Sequence, residues 1–246
     1  MRTSGRYVRT GLRAMLHALL PCSCALCGIG CQEVVCADCR AAYGSAAGAR
    51  CACCANPVTS LPLTASPLCA TCIRTRRAFD ATVAAVDYAP PLDQLVLQLK
   101  FGARLQLAPW CARMLRDAVL ARPGLPLPDL LCPVPLGRAR LVERGFNQAL
   151  EIARPLAALL GVALHPQLAA RTLETRAQSG TTPAERARNV AGAFAVQDPA
   201  LVAGRHVGLV DDVMTSGHTL DELAAACKRC GAARVTNFVF ARTPPA

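Results

Sequence analysis

Runs of apolar residues alternate along the chain with stretches in which apolar residues recur every three or four positions. The short runs predict buried strands, and the recurring pattern predicts helices with one apolar face. Predicted strands cover 81–88, 129–136, 192–196, 206–212 and 233–242. Predicted helices cover 91–101, 105–121, 145–161 and 216–231. Strands that alternate with helices indicate an α/β fold with a mostly parallel sheet, flanked by helices on both faces.

One long polar segment interrupts this alternation. Residues 172–189, "TLETRAQSGTTPAERARN", contain glycine and proline and show no apolar period. A connection of this length is unusual in a compact domain, so we interpret it as a mobile functional loop. Ligand sites in open parallel sheets lie at the carboxyl ends of strands, which is where we look for chemistry.

Cysteine distribution divides the chain. Eleven of the 15 cysteines fall between Cys22 and Cys72, so we expect a small Cys-rich domain over 1–78 and an α/β domain over 79–246. Eight of these cysteines form four successive C-x-x-C pairs: Cys24 and Cys27, Cys36 and Cys39, Cys51 and Cys54, Cys69 and Cys72. Such pairs are typical of structural Zn²⁺ sites, and they predict two zinc ions in a double zinc ribbon.

Spacing does not decide how the pairs share the two ions. Sequential grouping assigns the first two pairs to one ion and the last two pairs to the other, while an interleaved grouping remains open. Cys22, Cys31 and Cys53 lie outside the pairs and are expected to bind no metal.

The amino terminus resembles a signal peptide, because four arginines precede the apolar run "AMLHALLP". His17 interrupts this short run, so we expect an amphipathic helix instead. We find no stretch near the ~18 to 20 apolar residues that a membrane-spanning helix needs. Zinc thiolates require a reducing compartment, which predicts a cytoplasmic protein.

The formal net charge is +11, from 27 basic and 16 acidic residues. This surplus favours anionic partners such as phosphates or nucleic acid. Aromatic residues make up 4% of the chain, so contacts with phosphate rather than base stacking would dominate nucleic-acid binding.

The most specific pattern is "VGLVDDVMTSGHTL" at 207–220. Asp211 and Asp212 follow an apolar strand and precede a loop, Thr215–Thr219, that opens a helix. Helix N-termini bind phosphate through free N–H groups, and paired carboxylates accept hydrogen bonds from a diol. Together they predict a ribose 5-phosphate site, with Mg²⁺ bound among the substrate oxygens.

This segment resembles the phosphoribosyl diphosphate (PRPP) signature of type I phosphoribosyltransferases. With "PVPLGRARLVERGFNQ", "RAQSGTTPAERARN" and the four C-x-x-C pairs, the chain resembles the ComF family of competence proteins. The resemblance implies a phosphoribosyltransferase-like domain preceded by a double zinc ribbon, and a role in the uptake and use of external DNA. It also implies single-stranded DNA and a helicase of the competence machinery as partners.

Residue roles follow from the same resemblance. Asp211 and Asp212 would bind the ribose hydroxyls, and Gln178 would belong to the loop that closes over PRPP, together with Arg186, Arg188 and Asn189. The 5-phosphate would be bound by Thr215, Ser216, Gly217, His218 and Thr219. Pyrophosphate would be bound after the strand "CPVP", by the loop Leu136–Arg138 and by Arg138, Arg140 and Arg144. No catalytic residue is assigned.

Thr215 departs from the purine-salvage enzymes, which place an acidic general base there. A threonine cannot act as that base at neutral pH, so purine salvage is disfavoured. Two functions stay open: a PRPP-binding protein of competence that binds single-stranded DNA, and a stand-alone phosphoribosyltransferase with an unidentified acceptor. We also expect Lys100 to contact phosphate, with plain packing as the alternative. The arginines Arg74, Arg76 and Arg77 could contact nucleic acid, but we expect them to lie in a solvated linker.

Overall fold

The computed structural model describes residues 22–44, 48–58, 67–172 and 192–244. The chain divides into two compact units, Met1–Gly44 and Ser45–Ala246. The amphipathic helix expected at the amino terminus and most of the loop expected at 172–189 lie outside the described residues.

The smaller unit has little apolar core among its described residues. Strands β1 (Cys22–Ser23) and β2 (Gly30–Cys31) pair antiparallel, and helix α1 (Ala37–Tyr43) begins after Cys36, whose sulfur accepts a hydrogen bond from the Cys39 amide. Val35 and Cys24 are its buried apolar side chains. A unit this small needs another source of stability, such as bound metal.

The larger unit contains strands β3 (Ala81–Asp87), β4 (Leu130–Pro133), β5 (Ala163–Leu164), β6 (Ala169–Arg171), β7 (Phe194–Val196), β8 (His206–Met214) and β9 (Arg234–Arg242). Its helices are α2 (Ala70–Arg74), α3 (Leu92–Phe101), α4 (Leu107–Leu120), α5 (Arg138–Arg144), α6 (Gln148–Leu160) and α7 (His218–Arg229), with a short 3-10 turn at Pro199–Leu201.

Five strands form one sheet in the order β3-β9-β8-β4-β5, and every neighbouring pair is parallel. Helices α4 and α6 pack against each other and against this sheet, where Trp110 meets Phe240 edge to face at 5.8 Å between ring centroids. Helix α7 packs on β8 and β9 through a group of buried apolar side chains that includes Leu223, Val207 and Val239. The predicted parallel sheet with flanking helices is confirmed.

Local signals explain where α6 begins and ends. The Asn147 side chain accepts a hydrogen bond from the Ala149 amide as N-cap, and Gly161 ends the helix with φ of 67°, a left-handed conformation that glycine adopts without steric cost.

Two elements differ from expectation. Residues 138–144 form helix α5 instead of continuing as a loop after β4. The strand expected at 192–196 does not join the main sheet, because β7 pairs antiparallel with β6. These two strands flank the undescribed residues 173–191.

None of the helices within the described ranges has the length and apolar character needed to cross a bilayer.

Candidate functional site

The paired aspartates lie on β8, which extends two residues further than the sequence suggested. Its pairing with β4 ends at Val210, while its pairing with β9 continues to Met214. Asp211 and Asp212 therefore lie just beyond the carboxyl end of β4.

Asp212 is 3% exposed, and its charge is balanced by Lys100 from α3. The Lys100 ammonium lies 2.9 Å from Asp212 Oδ2, while Oδ1 accepts a hydrogen bond from the Val213 amide at 2.9 Å. Within the described part of the chain, Oδ2 has no well-aligned hydrogen bond, so the lysine contact is mainly electrostatic.

The carboxyl of Asp211 is destabilised in its charged form by burial and by its neighbour Asp212. Burial raises the pKa of the Asp211 carboxyl well above its usual range, and the neighbouring charge of Asp212 raises it further. The positive charge of Lys100 and a hydrogen bond from the Asp212 amide oppose this shift. Two carboxylates kept together against such repulsion are typical of functional sites.

The loop between β8 and α7 turns sharply at Gly217. This residue precedes α7 with φ of 81°, and a Cβ there would lie 2.5 Å from Met214 Cε. Glycine satisfies both constraints, so the backbone can fold closely over Met214. Thr215 is exposed, whereas Ser216, His218 and Thr219 are half-buried. Of the five residues predicted to bind the 5-phosphate, Thr215, Ser216 and Gly217 form the loop before α7, and His218 and Thr219 begin the helix.

Two arginines hold this loop through its carbonyl oxygens. Arg242 is 5% exposed and donates from Nη1 to Met214 O at 3.0 Å and to Thr215 O at 2.6 Å. Arg77 donates to Ser216 O at 3.3 Å and forms an ion pair with Asp221 in the first turn of α7, at 3.2 Å. The solvated-linker interpretation of Arg77 is wrong, because its side chain is 11% exposed and its two terminal nitrogens contact Asp221 and the Ser216 carbonyl.

The arginines predicted to bind pyrophosphate lie on α5. Arg138 is exposed, and Arg140 is half-buried. The Arg144 guanidinium lies over the Phe101 ring at 5.2 Å. This contact joins α5 to the end of α3, the helix that carries Lys100.

The loop predicted to close over PRPP, with Gln178, Arg186, Arg188 and Asn189, lies outside the described residues. The described residues that flank this loop are hydrogen-bonded to each other, because Thr172 donates to the carbonyl oxygens of Ala193 and Gly192. The Gly192 amide also donates to Glu222 of α7 at 3.0 Å. Thr172 and Gly192, the described residues on either side of this segment, therefore lie beside α7, whose first residues belong to the predicted phosphate loop.

Both sets of four cysteines come together, in the sequential grouping. Ligand sulfurs of the first set, Cys24, Cys27, Cys36 and Cys39, all lie within 4.8 Å of one another. The same holds for the second set, Cys51, Cys54, Cys69 and Cys72. The first set belongs to the smaller unit and the second to the larger one.

Backbone amides point at sulfurs in each cluster. The Cys36 amide donates to Cys24 Sγ at 3.4 Å, and the Cys69 amide donates to Cys51 Sγ at 3.3 Å. A hydrogen bond with the Cys54 thiol, supported by backbone amides and opposed by burial, lowers the pKa of Cys51 to about 4. Four converging sulfurs fit a tetrahedral Zn²⁺ site.

Sequence reasoning did not identify Arg242 or Arg171 as part of the site. Arg171 ends β6, and its Cδ lies 3.6 Å from where a Gly137 Cβ would be, which places it beside the predicted pyrophosphate loop. Arg242 looks like an ordinary last residue of a strand. No sequence pattern marks either residue, because each approaches the site from a distant part of the chain.

Comparisons with known proteins agree with this arrangement. Residues 147–245 match the family described as "Phosphoribosyl transferase domain". The DNA utilization protein YhgH of Escherichia coli K12 is 39% identical over 191 residues, covering 76% of this chain and 83% of that protein. YhgH of Salmonella typhi is 40% identical, covering 71% and 78%. Competence protein F of Haemophilus influenzae is 28% identical, covering 84% and 96%.

Proposed function

The chain belongs to the ComF and YhgH family of competence and DNA-utilization proteins, and from this membership we propose that it binds PRPP and single-stranded DNA in the use of external DNA. The observation that carries the PRPP assignment is Asp212. A buried carboxylate that is paired with Lys100 lies just before a glycine-containing loop at the N-terminus of α7.

Binding of PRPP would proceed from the groups described above. The loop from Thr215 to Thr219 would bind the 5-phosphate through its amides and hydroxyls, and Asp211 and Asp212 would accept hydrogen bonds from the ribose diol. Ligand hydroxyls would then offset the repulsion between the two carboxylates. Mg²⁺ would neutralise the pyrophosphate charge, and the carboxylate oxygens of the aspartate pair and the substrate oxygens are the hard ligands it prefers.

The α5 arginines suit pyrophosphate because guanidinium groups bind it in bidentate fashion. Arg138 is exposed and free to reach a ligand, while Arg144 is held over Phe101. We propose that Arg171, beside Gly137, adds positive charge to the same subsite.

Calorimetry with PRPP and Mg²⁺ tests this assignment. Asp212→Asn should weaken binding about 10- to 100-fold, the effect of losing a hydrogen bond to a charged acceptor. Asp117→Asn is the matched control, since Asp117 lies on α4 and its side chain is 50% exposed. Circular dichroism confirms that both variants are folded. Equal PRPP affinity in the wild type and in Asp212→Asn would refute the site.

The DNA part of the proposal is supported by a basic cleft in the larger unit. This cleft of about 480 Å³ is lined by Arg76, Arg77, Lys228 and Arg229, together with Asp80. Lys228 is paired with Asp80 at 2.8 Å and Arg229 with Glu222 at 3.6 Å, while Arg76 and Arg229 are exposed. Such a lining suits the phosphodiester backbone, which accounts for most sequence-independent affinity.

Titration of fluorescent single-stranded DNA at several salt concentrations tests this surface. Affinity should fall steeply with salt, and Arg76→Gln with Arg229→Gln should reduce the log–log slope by roughly 0.7 for each lost contact. Arg116→Gln on α4 is the control. A flat salt response would remove the DNA assignment and leave PRPP binding untouched.

A stand-alone phosphoribosyltransferase is the second candidate. Thr215 stands where purine-salvage enzymes have an acidic base, and its exposed position leaves room for a different acceptor. Incubation with PRPP and a panel of bases should release pyrophosphate if transfer occurs. Tight PRPP binding without release for any acceptor would favour the DNA-related role.

We further propose that each four-cysteine cluster binds one structural Zn²⁺, which in the smaller unit would join chain segments that have little other core. Such sites keep their thiolates in a reducing environment, consistent with a protein of the cytoplasm. Metal analysis should find two zinc ions per chain, and Cys36→Ser and Cys72→Ser should each remove one.

A further inference from the structure

Two cysteines outside the four-cysteine clusters face each other across the β1–β2 hairpin. Cys22 and Cys31 are direct partners in the antiparallel register. Both thiols donate to the Glu33 carbonyl oxygen, Cys22 Sγ at 3.4 Å and Cys31 Sγ at 2.8 Å. Cys22 Sγ also lies 3.0 Å from Cys31 O. A shared acceptor therefore keeps the two sulfur atoms together.

The backbone of this pair suits a disulfide. Directly opposed residues of antiparallel strands have Cα atoms about 4.5–5.5 Å apart, inside the roughly 4.4–6.8 Å range of disulfides. Closing the bond needs rotation of the side chains and no movement of the strands. Cys22 is exposed and Cys31 is half-buried, so a small reagent can reach the pair.

We propose that Cys22 and Cys31 form a reversible disulfide when the protein meets a low-molecular-weight disulfide such as oxidised glutathione. The thiolate of one cysteine attacks the reagent, forms a mixed disulfide and releases one small thiol. The second thiolate then attacks the protein sulfur of the mixed disulfide and releases the other small thiol. The protein loses two protons and two electrons, and the reagent is reduced to two thiols.

This bond would leave all four sulfurs of the first cluster unused. Cys24 and Cys27 lie in the turn between Cys22 and Cys31, so the bond would close the hairpin that carries them. The expected result is a hairpin closed by a disulfide between Cys22 and Cys31. The C-x-x-C pair inside this hairpin would keep its capacity to bind metal. This modification is independent of PRPP and DNA binding.

Differential alkylation with mass spectrometry tests the proposal on the full-length purified protein. Free thiols are blocked after treatment with oxidised glutathione, and the protein is then reduced and labelled with a second reagent. The second label should appear at Cys22 and Cys31 together, bound metal should be unchanged, and a reductant should restore both thiols.

Single variants separate the two steps of the exchange. Cys22→Ser and Cys31→Ser should each stop at a mixed disulfide with glutathione on the remaining cysteine. Cys53→Ser is the matched control, because Cys53 is another cysteine outside the clusters, and it should oxidise like the wild type. Failure of the wild type to form the bond, or a bond that uses a cysteine of either cluster, would overturn the proposal.

Discussion

Replacement of Arg242 by methionine tests whether the second cysteine cluster supports the predicted phosphate loop. Arg242 ends β9, and its Nε donates to Cys54 O at 2.9 Å. Its Nη1 bonds the Met214 and Thr215 carbonyls and contacts Thr243 O. One buried guanidinium thus joins a predicted metal ligand to the loop after the aspartate pair.

The cost of Arg242→Met follows from these contacts. Each carbonyl that loses its buried donor costs about 1 kcal/mol net, so the Cys54, Met214 and Thr215 carbonyls together account for about 3 kcal/mol. Burial lowers the pKa of Arg242, which shows that the native state already bears a desolvation cost that methionine removes. We therefore expect the free energy of unfolding to fall by about 2–3 kcal/mol.

The loop should lose more order than the sheet, because the Thr215 carbonyl belongs to the loop and Met214 immediately precedes it. Affinity for PRPP should fall at least about tenfold, equivalent to about 1.4 kcal/mol. Urea unfolding measures the first effect, and calorimetry with PRPP and Mg²⁺ measures the second. Arg242→Lys keeps the charge with a smaller donor set and should recover part of both.

Arg116→Met provides the control. Arg116 is partly exposed on α4 and pairs with its neighbour Asp117, so its replacement should change stability by less than about 0.5 kcal/mol. The reasoning is refuted if Arg242→Met unfolds like the wild type, or if it loses stability while PRPP affinity stays unchanged.

Three further predictions concern buried charge. Lys100→Met leaves Asp212 without its cation and should lower the free energy of unfolding, measured with urea, by about 1–3 kcal/mol. Adding Asp212→Asn to this variant should restore most of the lost stability. Asp211→Asn relieves a desolvated like-charge pair, so thermal unfolding should show a gain of about 0.5–2 kcal/mol, while calorimetry should show weaker PRPP binding. Burial, with the charge of Arg234, lowers the pKa of His206. The unfolded state therefore binds more protons than the folded state, and the free energy of unfolding should fall as the pH drops below about 6.5. Urea unfolding should depend less on pH in His206→Gln, and a pH profile identical to that of the wild type would contradict this expectation.

Elements whose signal is local were accessible from the sequence. The apolar period predicted a helix over 145–161, and α6 spans Gln148–Leu160 with Asn147 as its N-cap and Gly161 at its end. Helix α5 escaped prediction because it is seven residues long and has no buried residue, so it shows no apolar face. Likewise, β7 follows the same apolar rule as the main strands, and its antiparallel pairing with β6 depends on where the chain returns after 191.

Contacts between distant segments could not be predicted. Arg242 and Cys54 are 188 residues apart, and their hydrogen bond depends on how the second cysteine cluster packs against the sheet. The grouping of the cysteines has the same origin, since spacing allowed two arrangements and the fold brings together the sequential one.

By itself, the sequence determined the chemical groups of this protein and their local settings: a carboxylate pair at the end of an apolar strand, a glycine turn before a helix, and four C-x-x-C pairs. These are properties of neighbouring residues and follow from short-range geometry. The tertiary structure decided which groups meet: it pairs Lys100 with Asp212 and bonds Arg242 to a carbonyl of the predicted phosphate loop. Such pairings depend on the packing of helices and strands over the whole sheet, because electrostatic interactions act across space regardless of separation along the chain.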